Sequence, residues 1–174
     1  MDPVPLSCEI RYAEMTIQDR TAVLEVLRKI ARQYAANIVC FDAEKLAGRA
    51  HAEAALRHAH RSFEQGRMIS NSFEMEALLY AAGIRQCNVA VSFGLHEGRN
   101  HLFVCCCPAP AGIWKDLALR MQFNGEPADE DISPQKAARL AALFDITPEE
   151  IDATGQDRIR DLVLERVALL NVSK

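Results

Sequence analysis

The stretch ISNSFEMEALLYAAGIRQCNVAVSFGL, residues 69–95, decides how the chain folds. Asn71 with Glu74 three residues on has the form of a capping box, with asparagine in the serine or threonine role. Phe73, Met75, Leu78, Leu79 and Ala82 follow at helical spacing, and Gly83 suits the left-handed position that ends a helix. From Ile84 a second helix is expected to carry Cys87, Ala90 and Val91 inward and to stop at Gly94. Two helices joined at one glycine form a compact hairpin.

Upstream, Cys8, Ile10 and Tyr12 alternate, and Met15 and Ile17 resume after a one-residue slip. That reads as a half-buried strand with a bulge near Ala13. Asp19 or Thr21 can cap the helix whose stripe is Ala22, Val23, Val26, Leu27, Ile30, Ala31 and Tyr34. Residues 38–41 form a second, buried strand ending at Asp42. A helix from Arg49 to Gln65 follows, its alanine-rich stripe made for close packing, and Gly66 ends it.

Downstream, His101 to Cys107 reads as a third strand buried on both faces and ended by Pro108 and Pro110. Residues 113–123 read as a helix holding Trp114. Residues 124–133 are acidic and contain Gly125 and Pro127, which makes a loop. The tail, 134–171, is helical again. Ala137, Leu140, Ala141 and Phe144 make one stripe, and Thr147-Pro148 opens a short helix. Ile159, Leu162, Val163, Val167 and Leu170 share one side of the last helix, while Leu164 and Leu169 lie elsewhere on it. The fold class is therefore α+β: a small sheet of about three strands covered by helices, with a helical C-terminal tail. Residues 1–174 are expected to form a single domain with its core over 7–123.

Composition narrows the function. The chain has 49% hydrophobic and 25% charged residues and a net charge of −4, which excludes a basic coat for non-specific nucleic-acid binding. No apolar run reaches the length of a membrane span, and the N-terminus lacks the pattern of a secretion signal, so a cytoplasmic location is expected. The six cysteines contain no C-x-x-C pair. Cys105, Cys106 and Cys107 are consecutive on a strand and cannot all face one metal, so the cysteines are expected to be reduced, buried and small.

No Gly-rich phosphate loop, nucleophile elbow or zincin helix is present. His58 and His60 stand about 200° apart on one helix and cannot chelate one ion. Asp129-Glu130-Asp131 lacks the spacing of a calcium loop and reads as solvated. Neither a metal, a cofactor nor a catalytic group is expected, and an enzyme built on the cysteines lacks a paired base. The rhythm of residues 135–152 offers an alternative, a helix-turn-helix transcription regulator. Its second helix would present Glu149, Glu150 and Asp152 to phosphate, which counts against it.

The block from Ile69 to Gly83, with Arg85-Gln86 and Phe93-Gly94-Leu95 after it, resembles the kinase-binding subunit family of the KEOPS complex, the PRPK-binding proteins. Asp42-Ala43, His51 and the ending Glu165 to Leu170 fit the same pattern, the last in the manner of the archaeal branch. The resemblance covers nearly the whole chain. It implies a non-catalytic regulatory subunit that binds the N-lobe of the small atypical kinase and stimulates its ATPase activity. It also implies recruitment of tRNA, including its 3′ CCA end, for threonylcarbamoyl-adenosine modification, with other KEOPS subunits reached only indirectly. The hairpin leaves Arg67, Asn71, Arg85 and Gln86 outside to hold phosphate or an unpaired base. The resemblance assigns the kinase to the terminal segment, through Arg166, Leu169, Leu170 and Val172.

Overall fold

The computed structural model describes residues 7–125 and 132–172. Strand β1 (Glu9–Ile17) leads to helix α1 (Arg20–Gln33), capped by the Asp19 carboxylate on the Ala22 amide. Strand β2 (Asn37–Asp42) precedes α2 (Arg49–Glu64) and α3 (Phe73–Ala82). A short α4 (Cys87–Ala90) and strand β3 (Gly98–Cys107) follow, then α5 (Ile113–Leu117) and β4 (Gln122–Phe123). The tail forms α6 (Pro134–Leu143), α7 (Pro148–Thr154) and α8 (Ile159–Val172).

The sheet is antiparallel with order β2-β3-β1-β4. It separates two cores. Ile10 and Tyr12, Val39 and Phe41, Phe103, Cys105 and Cys107 face the layer of α2, α3, α6 and α8. Ala13 and Ile17, Ile38 and Cys40, Leu102, Val104 and Cys106 face α1 and α5.

This two-sided burial corrects the expected bulge. The β1–β3 register runs without a slip from Glu9 opposite Cys106 to Ile17 opposite Gly98. The apolar set simply changes face at Ala13, because both faces have a core to fill.

Four other expectations are corrected. The helix expected over 113–123 ends at Leu117, because Gln122–Phe123 pairs with β1 at Glu14 and Ala13 and, among the described residues, adds a fourth strand to the small sheet. That pairing satisfies part of an open sheet edge, and Phe123 sets its ring against Trp114 at 5.4 Å. The second helix of the hairpin is only α4 plus a 3-10 turn at Val91–Phe93, and Cys87 is exposed; Ala90 and Phe93 alone are fully buried there, too few to hold a longer helix. The cap of α3 is Ser72, whose hydroxyl accepts from the Met75 amide, since the helix starts one residue later than Asn71 would allow.

The last correction concerns the thiols. Cys8 and Cys107 form a disulfide, whereas Cys40, Cys105 and Cys106 are free and buried. Extending the β1–β3 register by one residue puts Cys8 opposite Cys107, with Cα atoms 4.3 Å apart. Residues 124–125 and 132–133 are irregular, as expected of a loop, while the segment carrying Asp129, Glu130 and Asp131 lies outside the described residues.

Candidate functional site

The loop between α2 and α3 is built around a carboxylate. Glu76 is fully buried and accepts hydrogen bonds from the Ser62 and Ser70 hydroxyls and the Ile69 and Ser70 amides at 2.8–3.0 Å. Four donors on one carboxylate offset its desolvation and fix the loop's path. Upstream, Gly66 ends α2 in the left-handed region (φ 64°), and the Arg67 amide reaches back to the Ser62 carbonyl. Arg67 and Asn71 are thus exposed on a rigid loop. The only hint of this in the sequence was a glutamate set among apolar residues of α3.

Asn71 also borders a cleft of about 610 Å³ with Phe63, Phe73, His60 and Pro108. The Phe63 and Phe73 rings lie 6.1 Å apart. Arg85 and Gln86 are exposed too, but beyond the other end of α3. A ten-residue helix separates the pairs by about 15 Å along its axis, so the four residues form two patches rather than one pocket.

At that far end, Gly83 (φ 66°) meets α8. A Cβ on it would stand 3.4 Å from the Arg166 carbonyl oxygen. His51, fully buried, ties the start of α2 to the end of α3. The Ala47 amide donates to its Nδ1 at 2.9 Å, and its Nε2 donates to the Ala81 carbonyl at 2.8 Å. Burial pushes the imidazole pKa down to about 4, so it stays neutral. Phe144 from the tail rests against the His51 ring at 5.5 Å.

The terminal helix α8 is fastened along its length, first near its start, where the Arg160 Nε donates to the Ala47 carbonyl at 2.8 Å. Near its middle, the Arg166 guanidinium bonds both Glu150 oxygens (2.7 and 2.8 Å) and the Phe144 and Asp145 carbonyls (3.2 and 3.3 Å). It holds the Glu150 carboxyl below the ordinary carboxylate range. Near its end, the Tyr80 hydroxyl donates to Asn171 Oδ1 at 2.6 Å, and Asn171 Nδ2 donates to His58 Nδ1 at 2.6 Å. His58 stacks on Tyr80 at 5.2 Å.

Of the terminal candidates, Leu170 is 3% exposed and sits in the core, whereas Leu169 is 47% and Val172 80% exposed. Arg166 is engaged in holding α7. The Asn171–Tyr80–His58 clamp escaped sequence reasoning because its members lie far apart in the chain.

In α7, Glu149 and Asp152 are exposed and Glu150 completes a capping box with Thr147. A recognition helix would need cations there. No group of three or more His, Cys, Asp or Glu side chains able to hold a metal occurs among the described residues. No curated protein matches the chain at a significant level. The family model described as kinase binding protein CGI-121 matches residues 16–171, from the end of β1 to the end of α8. On that match the chain belongs to the CGI-121 kinase-binding protein family.

Proposed function

We propose that this protein is the non-catalytic subunit of a cytoplasmic KEOPS complex that binds and stimulates the small atypical kinase and brings tRNA to threonylcarbamoyl-adenosine modification. The observation that carries the kinase part is a helix in a kinase-binding family that keeps apolar side chains in water. Leu169 and Val172 project from α8 while Asn171 and Arg166 hold that helix rigid. A fixed apolar stripe costs little ordering entropy when a partner covers it. Leu170 supports the stripe from the core side, and the kinase N-lobe is the surface that meets it.

The tRNA part rests on Arg67 and Asn71 at one end of α3 and Arg85 and Gln86 at the other. Both pairs are exposed on backbone that Glu76 and Gly83 hold in place. Their spacing suits two contacts along one strand rather than one pocket, with the 3′ CCA end at the Asn71 cleft, where Phe63 and Phe73 offer aromatic surface. Co-expression with the KEOPS kinase of the same organism is the test. A stoichiometric complex with raised ATPase activity is expected, and two folded proteins that elute separately would overturn the reading.

A further inference from the structure

Among the described residues, no strand pairs with the outer edge of β2, and that edge lies at the floor of a cleft. Helix α1 covers one face beside it with Leu24 and Leu27, and α3 covers the other with Met75 and Leu78. The cleft between them holds about 200 Å³. One end is closed by Gly94 and Leu95, and the Arg20 Nε donates to the Leu95 carbonyl at 2.8 Å to keep it closed. A Cβ on Gly94 would stand 3.6 Å from the Cys40 carbonyl oxygen, so that oxygen turns to the outer edge of β2, where Gly94 packs against it at the closed end of the cleft. By the two-residue repeat of a strand, the Ile38 backbone turns the same way. Among the described residues, no hydrogen bond reaches the backbone of Ile38 or Cys40 from this side. Main-chain groups near an apolar wall and without a partner favour an added strand.

The rims say which strand. Arg28 is exposed on the α1 rim, and Glu74 stands on the α3 rim. Successive side chains of an added strand point to opposite faces, so one set meets Arg28 and the other meets Met75 and Leu78. We propose that the β2 edge is a docking groove for an extended segment of another protein that alternates acidic and apolar residues and pairs with β2 by strand addition. The acidic side chains face Arg28 on the α1 side, and the apolar side chains face Met75 and Leu78 on the α3 side. An RNA strand fits poorly, because the walls are aliphatic and offer no aromatic face for a base to stack on. This groove is separate from Leu169 and Val172 on α8 and does not depend on the kinase reading.

Fluorescence anisotropy with a labelled Glu-Leu-Glu-Val-Glu-Leu peptide, its lysine counterpart, and a version N-methylated on alternate amides tests the proposal. The acidic peptide should bind saturably, and the lysine and N-methylated peptides should bind at least about tenfold more weakly. Arg28→Glu, on an exposed site of α1, should invert the preference between the charged peptides. Leu78→Trp should fill the cleft and abolish binding while the protein still melts cooperatively. Absence of saturable binding below about 1 mM, equal binding by wild type and both variants, or an unaffected N-methylated peptide would overturn the proposal. So would a dimer or an oligoribonucleotide complex that Leu78→Trp removes, since the groove would then serve a second copy or RNA.

Discussion

The guanidinium of Arg166 on α8 grips both oxygens of Glu150 on α7 and, on the same side, the Phe144 and Asp145 carbonyls that follow α6. One side chain therefore organises three tail helices. Replacing it with alanine should free α7, whose own helix is too short to persist alone. Hydrogen exchange over residues 145–155 should speed up, with a smaller change elsewhere and greater sensitivity to salt in the wild type than in the variant. Unchanged exchange in that segment would show that α7 is held by packing instead.

His51 makes stability depend on pH. The folded protein keeps it neutral down to about pH 4, whereas in the unfolded chain it takes up a proton near 6.5. Between those values the unfolded state binds more protons, so stability falls as pH falls, by at most about 1.4 kcal/mol per pH unit from this group. His51→Leu should cost on the order of 2–4 kcal/mol at pH 7 by stranding the Ala47 amide and the Ala81 carbonyl, and it should flatten this part of the slope. Urea unfolding at pH 7 and pH 5 for both proteins measures the two effects.

Leu162 and Leu169 are on one helix but face different surroundings, the first buried and the second half exposed. Leu169→Glu should remain folded and weaken kinase binding ten- to a hundred-fold, roughly what losing one apolar anchor implies. Leu162→Glu should lower stability by on the order of 3 kcal/mol or more. Pull-down with the kinase and thermal melting of each variant separate the outcomes; normal kinase binding by Leu169→Glu would move the interface off this face.

Arg67 and Arg85 stand at opposite ends of α3, so their effects on tRNA should add. Each charge reversal should reduce the salt slope of binding by roughly 0.7, and the double variant by twice that. Filter binding across a salt series gives the slopes. Curves that coincide with wild type would remove these arginines from the RNA surface.

Thiol reactivity should follow position. Cys87, exposed at the start of α4, should label at once, and Cys8 and Cys107 only after reduction. Cys40 and Cys106, whose pKa values burial pushes to about 12, and buried Cys105 should label only on unfolding. Mass spectrometry of alkylated peptides distinguishes the groups.

Local signals carried most of the fold. Asp19, Gly66, Gly83 and the Thr147-Pro148 pair mark helix ends through their own side chains and backbone preferences, so they could be read from a few neighbouring residues. Long-range pairings were out of reach. The two-residue strand β4, the Cys8–Cys107 bond and the Asn171–His58 hydrogen bond depend on where distant segments meet. Helical periodicity did separate Leu169 from Leu170, because adjacent residues on a helix face different sides: Leu170 falls on the buried stripe and Leu169 off it.

The sheet that divides the two cores also divides the experiments. The helices that carry Leu169 and flank Arg67 and Arg85 pack on one side of it, whereas Ile30, Leu117 and Met121 pack on the other. Conservative trimming at Ile30 or Leu117 should weaken the protein as a whole while leaving the opposite layer's surfaces in shape. Such variants supply an internal control of matched fragility, against which any loss of partner at α3 or α8 can be judged as specific.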